Sequence, residues 1–398
     1  MDLSEHVFVK SLTTRAYSSD VRTMGRHSVL HIQHFVYPWR FPLFSEIAKE
    51  FDLTVLFCRA KRPFRQWDTT IPTNQGFFGV ILRAVYVGPL TFNPGLFNAL
   101  RKRYDIYSVA ALDRINFIQF VVTLAVAKIR HKPFIMVDEF IATEYYRSRR
   151  KVAFAINRAI RAFIYRHVDA FVLWNDLARE FLETLGVPSH KIFSGPQVFS
   201  KRDEEFHRKP GEQCANDNLS ERELIRLLFV GNLVETKGID VLIKAFRELN
   251  HEAVRLEIVG DGPLREQLRR LAESDRRISF HGHLTGAAKR EMFRNSHIFV
   301  LPSLHEPWGF VINEALEWGL PIITTKAVGA ADYLVKDNGI LVAAGDIKAL
   351  HCAIASLVND RATIQVMATA SRHLSEHFTV RDMAKPFLDA VKSAYLTD

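Results

Sequence analysis

Two glutamates eight positions apart, Glu306 and Glu314, lie in the stretch 299–315, FVLPSLHEPWGFVINEA. The pattern predicts a buried strand ending at Pro302–Ser303, a short loop carrying Glu306, and a helix beginning near Gly309. The first N–H groups of a helix have no partner within it, and its start is the positive end of the helix dipole. Gly309, Phe310 and Val311 would therefore aim their amides outward, a ready site for a diphosphate. Glu306 lies ahead of that helix start and Glu314 more than one turn inside it. One carboxylate can then meet the sugar side of a nucleotide and the other its ribose. A carboxylate that accepts two hydroxyl hydrogen bonds is the usual grip on a ribose diol. The spacing alone occurs often by chance; the strand, the Pro-Ser, the Gly-Phe and the helix around it give it meaning.

Two further loops share this strand–turn–helix form. In FVGNLVETKG (229–238) a strand ends at Gly231 and a helix begins near Gly238, so Lys237 can place its ammonium against a phosphate. A plain turn with a solvated lysine, and with Gly231 and Asn232 as ordinary turn residues, fits the same letters. In IVGDGP (258–263) Gly260 and Gly262 permit a tight turn and Pro263 suits a first helical turn. There Asp261 reads as a turn residue at least as well as a ligand contact.

These loops need parallel strands to hold them. Apolar runs of strand length at Val29–Phe35, Leu53–Cys58, Leu82–Val87, Ile106–Ala110, Phe134–Val137 and Ala170–Trp174 alternate with helical patterns. The alternation restarts with Leu227–Val230, Leu256–Val259, Ile278–Phe280, Ile298–Leu301, Ile322–Thr324 and Ile340–Val342. The order predicts an α/β protein of two Rossmann-like, doubly wound domains facing each other across a cleft. The expected divisions are an extension at 1–26, a first domain at 27–200, a polar linker or surface loop at 201–222, a second domain at 223–376, and a final helix at 377–398 packing back on the first domain.

The stretch from Leu227 to Gly345 resembles the donor-binding domain of the retaining family 4 glycosyltransferases, which have the GT-B fold. The pieces are VGN and TKG within 230–238, VGDGP at 259–263, FHGHL at 280–284, VLPSLHEPWGFVINEALEWGLPII at 300–323 and GILVAAGD at 339–346. The resemblance extends more loosely over the chain after about residue 27. It implies that Glu306 contacts the donor sugar, Glu314 the ribose, and the amides of Gly309 to Val311 the diphosphate, with Lys237 neutralising it. Gly231, Asn232 and Gly260 would line the donor site, and the loop around His283 and Leu284 would border the base. It also implies no divalent metal and no cofactor beyond the nucleotide sugar as substrate. Three departures stand out. Asn232 replaces the family's usual arginine, which leaves Lys237 and another basic group, such as Arg40, for the leaving diphosphate. The loop after the first strand reads FVYPWRFP (35–42) instead of being Gly-rich. Asp138 and Glu139 stand where many members place a histidine, so either could meet the sugar or take the acceptor's proton, or simply cap the next helix.

Charge and composition bound the partners. Residues 1–200 hold 27 Lys and Arg against 16 Asp and Glu, a net +11, whereas residues 201–398 carry −2. A basic first half suits an anionic membrane surface, a phosphate-bearing acceptor or nucleic acid, and no nucleic-acid module accompanies it. The basic amphipathic pattern RSRRKVAFAINRAIRAFIYR (147–166) fits either a lipid surface or a core-packing helix with a solvated face. Three scattered cysteines, no secretory pattern at the N-terminus and no run long enough to span a bilayer predict a cytoplasmic protein, peripheral on the inner membrane face if lipid-bound. His31 and His34 point to opposite faces of a strand and would not share a metal. The reading is transfer of a sugar from a UDP- or GDP-sugar to a saccharide or lipid-linked acceptor with retention, in polysaccharide or glycolipid assembly. A sugar-nucleotide isomerase or hydrolase on the same scaffold and a non-catalytic basic binding protein are the alternatives.

Overall fold

The computed structural model describes residues 26–60, 70–72, 75–87, 90–112, 116–138, 151–198, 208, 211–217, 219–220 and 224–396. Its first sheet has strands β1 (Ser28–Phe35), β2 (Asp52–Arg59), β3 (Phe78–Ile81), β6 (Ile106–Ala110), β7 (Phe134–Asp138), β8 (Ala170–Leu173) and β9 (Ile192–Ser194) in the order 3-2-1-6-7-8-9, all parallel. A two-stranded antiparallel ribbon, β4 (Val85–Val87) with β5 (Leu90–Phe92), lies beside it. The expected strand Leu82–Val87 does not join the sheet: the sheet strand is β3, which ends just before it, and Val85–Val87 belongs to the ribbon. One face of the sheet is covered by α1 (Phe41–Ile47). The other is covered by α2 (Gly95–Arg101), α3 (Phe117–Ile129), α4 (Lys151–Tyr165) and α5 (Asp176–Thr184).

The second sheet runs β12 (Ile278–Gly282), β11 (Val254–Val259), β10 (Ile225–Val230), β13 (Ile298–Leu301), β14 (Ile322–Thr325) and β15 (Gly339–Val342), all parallel. Its helices are α6 (Ile239–Arg247), α7 (Arg265–Ala272), α8 (Gly286–Arg294), α9 (Phe310–Glu317), α10 (Ala331–Leu334), α11 (Ile347–Val358) and α12 (Arg361–His377). Runs such as Leu227–Phe229 and Ile298–Leu301 are wholly buried, as parallel strands covered on both faces must be. The strand order reverses between β10 and β13. In open parallel sheets the crevice at such a switch point, beyond the strand C-termini, is where ligands bind. The loops that carry Lys237 and Glu306 follow those two strands.

The described part of the stretch read as a linker is packed, not loose: Asn216 is buried and donates from Nδ2 to the carbonyls of His297 and Gly319, each at 3.0 Å. The last helix, α13 (Val380–Leu396), returns to the first domain, where Met383, Phe387 and Val391 share a core with Phe41 and Phe44 of α1. Among the described residues, no helix is long and apolar enough to cross a membrane.

Candidate donor site at the switch point

Gly231 ends β10, and the chain turns through a short 3-10 helix, Glu235–Lys237, before α6. Gly260 lies on the neighbouring loop with φ +144°, and a Cβ there would stand 1.8 Å from the Gly231 carbonyl oxygen. Gly260 lets two backbones touch, and the Gly231 amide donates to Val259 at 3.0 Å. Asp261 is a turn residue too, accepting from the Gly262 amide at 2.7 Å and from Arg265 at 2.9 Å.

The carbonyl of Thr236 accepts from the amides of Leu304 (2.8 Å) and His305 (3.2 Å), which ties the Lys237 loop to the Glu306 loop. Glu306 is anchored from the other side, donating its amide to Ala327 (3.0 Å) and accepting from Gly329 (2.9 Å). So fixed, the Lys237 Nζ pairs with the Glu306 carboxylate, both side chains being mostly buried. Gly309 then adopts φ +95°, ψ +57°, a conformation a side chain resists, and a Cβ would meet Val328 at 3.0 Å. Gly309, the N-cap of the helix α9 that follows, has no side chain with which to cap it. Its first turn, with Phe310 and Val311, presents the positive dipole end toward the cleft. Trp308 lies buried beneath, its indole N–H donating to Asn313 Oδ1 at 3.0 Å. One turn further on, Glu314 is 5% exposed, and its Oε2 lies 2.6 Å from the Nζ of Lys289 on α8.

Both expected carboxylates therefore lie at one helix start with a glycine N-cap, each paired with a lysine. The first domain closes over the same loop. Asn175 Nδ2 donates to the Pro307 carbonyl (3.2 Å), and Asn313 Nδ2 donates to the Gln197 carbonyl (2.9 Å). The Tyr333 hydroxyl donates to Asp176 at 3.3 Å, and burial pushes that phenol up to about 12. Trp39, stacked on Tyr37 at 4.8 Å, brings its ring edge-on to Phe310 at 6.2 Å.

The remaining expected residues scatter. Asn232 and His283 are exposed at the rim, and Leu284 packs half-buried on the second core. Arg40 is 3% exposed, its guanidinium lies 4.7 Å from the Trp174 ring centroid, and burial lowers it to about 9. It shares a cavity of about 30 Å³ with His31, Gln33 and His34, and burial lowers His31 to about 4. Asp138 ends β7, and Glu139 lies outside the described residues. Among the described residues, no group of three or more His, Cys, Asp and Glu could hold a metal ion. Sequence reasoning missed Lys289, Asn175, Gln197 and Trp39. Nothing in the local sequence marks them, because their roles arise from helices and domains meeting in space.

Residues 213–374 match the family described as Glycosyl transferases group 1. Over 159 residues the chain is 30% identical to the sulfoquinovosyl transferase of Arabidopsis thaliana, covering 39% of this chain and 31% of that protein. It is 33% identical over 139 residues to LpsE, a lipopolysaccharide core biosynthesis glycosyltransferase of Rhizobium meliloti, covering 34% of this chain and 39% of that one. The chain thus matches less than half the length of these curated relatives. Solved structures resemble it nearly end to end. HepE of Anabaena, in complex with UDP and glucose, aligns with TM-score 0.65 and 17% identity over 92% of this chain and all of that one. Sucrose-phosphate synthase from Thermosynechococcus elongatus aligns with TM-score 0.68 and 18% identity over 94% and 100%. The fold is that of the GT-B glycosyltransferases, two Rossmann-like domains across a cleft.

Proposed function

We propose that this chain is a glycosyltransferase that moves a sugar from a nucleoside diphosphate to an acceptor hydroxyl with retention of anomeric configuration. The observation that carries the reading is the pairing of Glu306 with Lys237 and of Glu314 with Lys289 around the glycine-capped start of α9, at the switch point of the sheet. In this reading the amides of α9's first turn and the ammonium of Lys237 hold the diphosphate and stabilise the charge that grows on it as the glycosidic bond breaks. Stabilisation by these groups does not call for a divalent ion. Glu306 takes the sugar hydroxyls and Glu314 the ribose diol. Attack from the face the diphosphate leaves, with a phosphate oxygen accepting the acceptor's proton, gives retention without a protein nucleophile. The group 1 match over residues 213–374 and the UDP held by the HepE structure support a nucleotide-sugar donor.

For the acceptor side we propose a lipid-linked or saccharide acceptor met at an anionic membrane surface. Among the described residues, ten of the twelve large apolar side chains facing solvent lie between Phe78 and Phe163. Phe97, Val121, Ile129, Ile160 and Phe163 stand on α2, α3 and α4, which cover one face of the first sheet. Those three helices contain no Asp or Glu, while Arg101, Arg158 and Arg166 on or beside them are exposed. Three apolar, basic helices without a carboxylate suit anionic lipid.

A thermal-shift screen of UDP-, GDP-, ADP- and TDP-sugars without added metal tests the donor site. One nucleotide class should raise the melting temperature of the wild type and fail to do so in Glu314→Ala. If no sugar nucleotide shifts the wild type, the donor assignment is wrong. Once a donor and acceptor are in hand, proton NMR of the fresh product reads the anomeric configuration directly; an inverted product refutes retention.

A further inference from the structure

We propose that Lys289 is a positioning residue of the donor site: it orients the Glu314 carboxylate for the ribose diol and so sets the preference for a ribonucleotide. The inference rests on the donor reading above and goes one residue further.

The geometry begins with α8, which follows the loop His283–Thr285 and is anchored to the second core by Phe293, 1% exposed. Lys289 lies in the first turns of that helix. Its stem runs past the Phe293 ring, with Nζ 5.9 Å from the ring centroid, and its ammonium ends 2.6 Å from Glu314 Oε2. The two side chains are only 17% and 7% exposed. A carboxylate so buried needs a counter-charge, and its rotation is fixed by where that charge sits. One lysine N–H engages one of the roughly four lone-pair positions of a carboxylate. The direction of that bond determines which lone pairs face the nucleoside. Lys289 approaches from α8, on the side of the loop that borders the base, and Glu314 projects from the helix whose start receives the diphosphate. The ribose lies between base and diphosphate in any nucleotide, so the pair stands at the level of the sugar hydroxyls. Lys289 touches no phosphate in this arrangement. It acts through Glu314, and its loss should be felt only by ligands that carry the diol.

The test is isothermal titration of the full-length chain with a nucleoside diphosphate of the base found by the donor screen, in its ribo, 2′-deoxy and 2′,3′-dideoxy forms. The wild type should prefer the ribo form by about ten- to a hundredfold, the range for hydrogen bonds to a charged group. Lys289→Met should bring that preference within about threefold while leaving the dideoxy affinity nearly unchanged, and Lys289→Arg should keep most of it. If Lys289→Met does not fold, Lys289→Gln, which keeps a donor without the charge, is measured instead and judged by the same ratio. An equal loss for ribo and dideoxy forms, or an unchanged preference, overturns the proposal and leaves the donor site standing. A wild type that binds the diphosphate without preferring the ribo form also overturns it alone. A wild type that binds no nucleoside diphosphate overturns both readings together.

Discussion

Replacing Glu306 with glutamine should separate binding from chemistry, with opposite signs. In the structure Glu306 and Lys237 form a mostly buried pair, with 16% and 17% of their side chains exposed. In the proposed function a diphosphate comes to lie beside both. Glutamine keeps an oxygen for the lysine N–H to donate to, so Lys237 stays in place, but the negative charge is gone. At an effective dielectric constant near 20, a carboxylate about 6 Å from a phosphate charge costs about 3 kcal/mol. Screening at a partly open cleft reduces that to about 1 kcal/mol, roughly fivefold in affinity. Glu306→Gln should therefore bind a bare nucleoside diphosphate about fivefold more tightly than the wild type, with a steeper loss as salt is raised. Transfer should fall by about a hundredfold or more, because the contact to the reacting sugar is weakened. Titration calorimetry without metal gives the first number and product formation the second. A fivefold weaker diphosphate affinity in Glu306→Gln would show that the carboxylate holds Lys237 in position rather than competing with the ligand, and the electrostatic argument would fail.

Four other outcomes follow from single contacts. Gly309→Ala forces a side chain to φ +95° against Val328, which should cost about 1–3 kcal/mol and lower both the melting temperature and nucleotide affinity; an unchanged melting temperature would refute the strain argument. Asn175 caps α5 through the Ala178 amide at 2.7 Å and also donates across the cleft to Pro307. Asn175→Ala should thus lose about 2 kcal/mol in urea unfolding, whereas Asn175→Asp keeps the cap and loses only the cross-domain bond, about half as much. His31 is depressed from 6.5 to about 4 by burial, so above pH 6.5 it costs nothing to keep neutral, and between pH 6.5 and 4 stability falls as pH falls, by up to about 3 kcal/mol. The urea midpoint should drop over that interval, and His31→Gln should flatten the drop. Finally, Ile160→Asp with Phe163→Asp should abolish sedimentation with phosphatidylglycerol vesicles if these apolar, basic helices meet lipid, and undiminished sedimentation would remove them from consideration.

The fold was largely legible because parallel strands buried on both faces leave continuous apolar runs such as Leu227–Val230 and Ile298–Leu301. Legibility failed at the sheet edge. Phe78–Ile81 and Val85–Val87 are both partly exposed and apolar, and periodicity does not say which of them joins β2. Ile192–Ser194 is too short to carry a period at all. In the site, Lys237, Glu306 and Glu314 could be singled out because each lies at a fixed offset from a strand or helix end. The surroundings of Gly260 and Arg40 were not legible, because residue type says what a group can do, not what surrounds it. The glycine meets another backbone, and the arginine is enclosed beneath Trp174.

Both lysines of the donor site already have carboxylate partners without a ligand, Lys237 from the loop after β13 and Lys289 from the second turn of α9. The charges cancel in pairs, so the cluster is stable in the cleft before any nucleotide arrives. The helix dipole adds a positive field at the start of α9, directed at the crevice where the strand order reverses. The first domain contributes contacts at Pro307 in the loop after β13 and at Phe310 and Asn313 in the helix that follows it. In the proposed function, a movement between the domains would shift the helix start set to receive the diphosphate, so closure would alter nucleotide affinity.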